Sequence, residues 1–145
     1  MKTYFYIKLT NKLSELIEKI KVLYKENLIA IVLFGSAARG DFSQSSDIDL
    51  LLILKDSIES KRQRILDFYE KVGYEFENYF LSPIILTQKE LSEYFPFCVG
   101  ILKDHKVLYD DENIVGELIK MIDKKKQNKE IIEKEFKGMT YWIIK

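Results

Sequence analysis

Two apolar runs, Leu28 to Phe34 and Leu50 to Leu54, lie close together in the chain, joined by a link over residues 35 to 46 and by Asp47-Ile48-Asp49. Runs of this length and composition read as strands. The link has room for a turn and a short helix but is short for a full crossover, so the two strands are expected to pair antiparallel. The end of the first strand, with Gly35-Ser36, then meets the start of the second, with Asp47. Side chains alternate along a strand, so Asp47 and Asp49 share one face while Ile48 and Leu50 take the other. All four polar positions fall at one end of one sheet.

Each has chemistry suited to that place. Gly35 lacks a side chain, so the backbone can turn sharply and let a phosphate approach. Ser36 offers a hydroxyl and an N–H, and a helix beginning within Ala37 to Gly40 would add unpaired N–H groups that favour an anion. Two carboxylates on one face suit Mg²⁺ shared with substrate phosphates. Two such ions roughly 3.5–4 Å apart stabilise both the attacking and the leaving oxygen of an in-line displacement. Arg39 either adds positive charge at the phosphate end or pairs with Asp41. A P-loop has the spacing of Gly35 and Gly40, but it needs Lys and Ser/Thr where this chain has Asp41 and Phe42.

The run resembles the signature of the DNA polymerase β-like nucleotidyltransferases, and their smallest members, the minimal nucleotidyltransferases, in particular. Their pattern of Gly-Ser, ten residues, then Asp-x-Asp is matched at Gly35, Ser36, Asp47 and Asp49, and Ser46-Asp-Ile-Asp-Leu50 matches the flank. The resemblance implies an α+β fold with a mixed sheet flanked by helices. It implies transfer of AMP from ATP with release of pyrophosphate, dependent on Mg²⁺ or Mn²⁺. It also makes Asp47 and Asp49 metal ligands and catalytic residues, and places Gly35, Ser36, Arg39 and Ser46 at the nucleotide.

A third carboxylate on a later strand usually completes this family's site. Tyr74 to Leu86 is the expected strand, and it offers Glu75 and Glu77, then Asn78 and Ser82. Glu77 reaching in would complete the set of metal ligands. Asn78 falls about where several relatives with a similar Ser-Pro-Ile-Ile stretch carry Asp, and there it would leave one metal under-coordinated. Both glutamates facing solvent is the third possibility.

The remaining sequence narrows the class. At 145 residues the chain suits one domain, 1–145, without repeats or a linker. Zero formal net charge provides no basic field for nucleic acid and argues against a polymerase. No apolar stretch approaches the ~20 residues of a membrane span, and no signal-peptide pattern is present. The single Cys98 excludes an internal disulfide and fits a reducing cytoplasm. Cys98 and the lone His105 read as structural.

Leu13, Leu16, Ile17, Ile20, Leu23 and Tyr24 trace one face of a first helix, started by Thr10 or Asn11. A second helix is expected from a capping box at Asp56 to Glu59, with a stripe of Ile58, Ile65, Leu66, Tyr69 and Val72 ending at Gly73. Pro83 suggests an edge or a bulge in the third strand. Residues 88 to 103 read as a short helix interrupted at Pro96, Lys106 to Tyr109 as a strand, and Val115, Leu118, Ile119 and Ile122 as a helix. Asp123 to Lys137 reads as a solvated charged face, and Thr140 to Ile144 as a strand.

A domain this small leaves nothing to hold an acceptor, so a partner or an oligomer interface must supply it. The resemblance points to an antitoxin that adenylylates a tyrosine of a HEPN-class toxin. Two alternatives remain: a weakly catalytic protein that neutralises its partner by binding, and a small-molecule adenylyltransferase with Asp110, Asp111 and Glu112 facing a cationic substrate. The aromatics Tyr4, Phe5, Tyr6, Tyr74, Phe76, Tyr79, Phe80, Tyr141 and Trp142 are candidates for a contact surface, with core packing the expected fate of most.

Overall fold

The computed structural model describes residues 2–145. Strands β1 (Leu28–Phe34) and β2 (Ile48–Leu54) are antiparallel neighbours, with Phe34 opposite Asp49. They lie inside a five-stranded sheet completed by β3 (Glu75–Phe76), β4 (Tyr79–Thr87) and β5 (His105–Asp110), in the order β3-β4-β2-β1-β5. Only β2 and β4 run parallel, so the sheet is mixed. The crossover between them carries helix α4 (Lys61–Lys71).

Helices cover both faces of the sheet. On one face Ile48, Leu50 and Leu52 pack with Leu16 and Ile20 of α2 (Leu13–Tyr24) and with Phe68 of α4. On the other, Val32, Leu51 and Ile53 pack with Val99 of α5 (Phe95–Ile101) and with Val115 and Leu118 of α6 (Ile114–Gln127). A strand covered on both sides has no polar face to show, which is why β1 and β2 read as unbroken apolar runs. Each such buried side chain contributes roughly 1.5–3 kcal/mol. Asp49 is the polar exception on the α5/α6 face.

Several elements differ from the sequence reading. A helix α1 (Tyr4–Thr10), capped by Thr3, precedes α2. The Thr10 hydroxyl donates to Tyr6 O at 2.7 Å within α1, so neither Thr10 nor Asn11 caps α2; Lys12 stands there without a side-chain bond. Ser60, not Asp56, caps α4, accepting from the Gln63 N–H, and Ile58 is exposed because Asp56 to Glu59 form a turn outside the helix. Pro96 starts α5 rather than interrupting a helix, following a short 3₁₀ turn at Gln88–Leu91. The charged tail expected as a solvated face contains β6 (Ile131–Phe136), paired in a hairpin with β7 (Met139–Ile144).

The stretch 74–86 is not one strand. Glu77 and Asn78 adopt left-handed backbone angles (φ 52° and 70°) and form the two-residue turn between β3 and β4. Beyond Phe80, β4 pairs only with β2, in unbroken register, so Pro83 occupies a sheet edge without a bulge. Of the nine aromatics singled out, Tyr6 and Phe76 are buried, while Phe5, Tyr79 and Trp142 pack against the core half-buried. Tyr4, Tyr74, Phe80 and Tyr141 stay exposed. No helix among the described residues is long and apolar enough to cross a membrane.

Candidate active site

The link between β1 and β2 is pinned at several points. Helix α3 is one turn, Ser36–Arg39, ending at Gly40 in a left-handed conformation (φ 96°). The Ala38 and Arg39 N–H groups both donate to Gly35 O at 3.0 Å. Among the described residues, the Ser36 and Ala37 amides have no bond partner and lie at the start of that turn. Phe42 is fully buried, with its ring 4.5 Å from that of Tyr79, and anchors the middle of the link. The Thr3 hydroxyl donates to Phe42 O, and the Thr3 N–H to Gly40 O at 3.1 Å, so α1 braces the same segment. The Ser46 hydroxyl accepts from the Ser43 N–H at 2.9 Å and closes the turn that delivers Asp47.

Asp47 and Asp49 flank the buried Ile48, with Asp47 just before β2 and Asp49 within it. Asp47 is exposed and Asp49 half-buried. Burial pushes the Asp49 carboxyl above its ordinary range, and the Asp47 charge adds to this. A hydrogen bond from Ser82 and the positive charge of Arg39 partly offset both effects. Two like charges held together in a partly desolvated place, with oxygen donors only, fit a hard divalent cation.

Gly35 sits directly against this carboxylate. Its backbone (φ 70°, ψ −151°) is one that only glycine adopts without strain, and a Cβ there would lie on Asp49 Oδ2. Gly35→Ala is therefore expected to displace the carboxylate and lower transfer on the order of 100-fold, the scale of a ~1 Å misplacement. Steady-state kinetics beside a circular dichroism spectrum will check this, with the spectrum staying native.

Arg39 is bound to Asp41 through Nε at 3.3 Å and lines a cleft of about 170 Å³ with Phe34, Gly35, Gly100, Ile101 and Asp104. Sequence reasoning missed Gly100, Ile101 and Asp104, because α5 reaches the site only through the fold. His105 stands opposite Phe34 on β5, and its Nδ1 is 2.7 Å from Leu102 O. Cys98 is fully buried, which pushes its thiol up to about 11.

The structure does not bring Glu77 to the two aspartates. As a turn residue it lines a separate hollow with Phe5, Lys8 and Gln44. Among the described residues, no three acidic, His or Cys side chains are placed to share an ion. Glu75 pairs with Phe80, and Asn78 lies in the turn beside Glu77. In register with Asp49 on the parallel strand β4 is Ser82, whose side chain favours the ionised Asp49 carboxyl.

This turn-and-carboxylate arrangement on a mixed sheet is that of a nucleotidyltransferase. The profile of the family "Polymerase beta, Nucleotidyltransferase" matches residues 5–114, and the chain belongs to that family. A candidate protein adenylyltransferase of Methanocaldococcus jannaschii is 36% identical over 114 residues, covering 72% of this chain and 74% of that protein. A second from the same organism is 32% identical over 74 residues, covering 50% of this chain and 74% of its own length. A solved candidate nucleotidyltransferase from Sulfolobus solfataricus is 26% identical at a TM-score of 0.50, covering 74% of this chain and 85% of that one. A toxin–antitoxin structure with AMP-PNP shares the fold at 17% identity and a TM-score of 0.52, covering 79% of this chain and 90% of that one.

Proposed function

We propose that this nucleotidyltransferase moves AMP from ATP to a hydroxyl of a partner protein, a tyrosine of a HEPN-class toxin, and so acts as an antitoxin. The observation that carries the reading is the Asp49 carboxylate set directly against the side-chain-free Gly35 turn, with the Asp47 charge beside it. The adenylyltransferase relatives support the chemistry, and the toxin–antitoxin structure of the same fold supports the partner.

The roles follow from chemistry. Asp47 and Asp49 hold a divalent ion, Mg²⁺ or Mn²⁺. When bound, that ion neutralises the triphosphate and aligns it for in-line displacement. Gly35 and Ser36 receive the phosphates through backbone N–H groups and the serine hydroxyl, and Arg39 adds positive charge at the rim. Ser46 acts one step removed, by fixing the turn before Asp47. Ser82 favours the ionised form of Asp49.

A specific observation favours a second reading, neutralisation by contact with little transfer: among the described residues no third carboxylate joins Asp47 and Asp49, and the residue in register with Asp49 on β4 is Ser82. Incubation of the protein and the neighbouring gene's product with α-phosphate-labelled ATP and Mg²⁺ separates the two. Label on the partner's tyrosine is expected. A tight complex that stays unlabelled would replace the first reading with the second.

A further inference from the structure

Strand β4 is a sheet edge beyond Phe80, yet most of its outward backbone groups are already taken. The Leu81 N–H donates to Tyr74 O at 2.8 Å, which makes the odd-numbered residues the outward ones. Leu81 O accepts the Tyr69 hydroxyl at 2.9 Å, Ile85 O accepts Arg64 at 3.2 Å, and the Thr87 N–H donates to Glu90 at 2.8 Å. Pro83 has no N–H to offer. The Pro83 carbonyl and the Ile85 N–H are left over, and neither has a partner among the described residues. Ile85 is only 3% exposed, so its amide is held away from bulk water, where an unpaired donor is costly.

Pro83 and Ile85 line a hollow of about 210 Å³ at this edge. Lys61 and Ile65 of α4 form one wall, and Tyr94 and Phe97 form the other. Ile65 belongs to the core on one face of the sheet and Tyr94 to the core on the other, so a flat ring lying in the sheet plane would be covered from both sides. Lys61 Nζ lies 4.8 Å from the centre of the Tyr94 ring and ties the walls together. The free carbonyl and N–H flank Ile84, and they are the pair that one residue of a parallel strand would use. A longer strand cannot add here, because Tyr69, Arg64 and Glu90 occupy the flanking positions. What fits is a compact ring that carries a donor beside an acceptor.

We propose that this hollow takes the adenine ring of ATP. The 6-amino group donates to Pro83 O, ring N1 accepts from the Ile85 N–H, and Phe97 stacks on the ring. Guanine presents a carbonyl and a protonated nitrogen at the same two positions, so both contacts would turn repulsive. The location suits the reaction. Ser82, Asp49 and Phe34 stand in register across β4, β2 and β1, with the hollow starting at Pro83 and the phosphate turn at Gly35. Asp49 therefore lies between the two, two strand spacings or roughly 10 Å from the base, a gap that ribose and α-phosphate span. The assignment rests on the proposed AMP transfer and adds to it a base preference set by backbone groups.

Calorimetric titration of the full chain with Mg²⁺ and ATP, GTP, ITP or tripolyphosphate tests this, beside amide NMR spectra. GTP and ITP should bind on the order of 10-fold more weakly than ATP, the scale of two lost hydrogen bonds. The Ile85 amide should shift with ATP and stay in place with tripolyphosphate. Phe97→Ala should weaken ATP roughly 10-fold and leave tripolyphosphate binding unchanged, which also shows that the variant is folded. Equal binding of ATP and GTP, an Ile85 amide indifferent to ATP, or a Phe97→Ala variant that holds ATP as wild type does overturns the adenine assignment and leaves the transfer reading standing. Wild type that binds neither ATP nor tripolyphosphate overturns both.

Discussion

An Asp47→Asn, Asp49→Asn variant is expected to lose at least about 1,000-fold of its nucleotidyl transfer, the scale of removing charge stabilisation at a reacting centre, while melting no lower than wild type. The second half of this expectation comes from the geometry. Asp49 is partly buried in a sheet whose neighbouring positions are apolar, and the Asp47 charge lies beside it. Only the Ser82 hydroxyl and the Arg39 charge favour the ionised form, and Arg39 is itself engaged by Asp41. The pair is a local cost to the fold, which two amides of the same shape remove. Function is the reason such a cost persists at a site. Scanning fluorimetry with and without Mg²⁺, run beside the label-transfer assay, gives both readouts. Mg²⁺ should raise the melting temperature of wild type and leave the variant unmoved. A variant that unfolds would show the two aspartates to be structural and would remove the basis of the proposed function.

The centre of this site was legible because it is local. The Gly35-Ser36 turn, the antiparallel return and the placing of Asp49 at the start of the second strand all follow from spacing and strand period within residues 28 to 54. The partner of Asp49 on the next strand was not legible, because parallel register depends on how α4 returns the chain. Glu77 looked eligible by alternation in an unbroken strand. The left-handed Glu77-Asn78 turn moved it to the hairpin tip and brought Ser82 alongside instead. Strand β6 was hidden for another reason. It buries only Ile131 and exposes its charged residues to water, so its composition is that of a solvated tail. Its strand character comes from pairing with β7, and only β7 has a strand's composition. The same logic explains Pro96. A proline that breaks a helix interior is at home in a first turn, and the 3₁₀ turn before it moves the helix start to Phe95.

The 3₁₀ turn is held by the shortest ion pair among the described residues, and removing it should be strongly destabilising. Glu90 closes a capping box with Thr87, accepting the Thr87 N–H at 2.8 Å, and it also accepts from Arg64 at 2.6 Å and Lys61 at 3.2 Å. Arg64 projects from α4, is 6% exposed and also donates to Ile85 O at 3.2 Å. Its Nε is buried without a partner among the described residues, so this guanidinium is already incompletely satisfied. Glu90→Ala would strand it in the interior at a cost of about 3–5 kcal/mol, a large share of the ~5–15 kcal/mol that holds a domain together. The Arg64 hydrogen bond, with burial opposing it and the Thr87 and Lys61 contacts adding to it, holds the Glu90 carboxyl down at about 2 against an ordinary 4.5. A depressed acid stabilises the native state fully above the unfolded value, and that contribution is lost as pH falls from about 4.5 towards about 2, on the order of 3 kcal/mol in all. Urea denaturation of wild type and Glu90→Gln at pH 7 and near pH 2.5 tests both arguments together. The variant should be less stable by about 2–3 kcal/mol at neutral pH, and the gap should narrow in acid as wild-type Glu90 takes up its proton. A gap that stays constant with pH would mean that Glu90 acts through packing and its neutral hydrogen bonds, with the Arg64 charge already satisfied elsewhere.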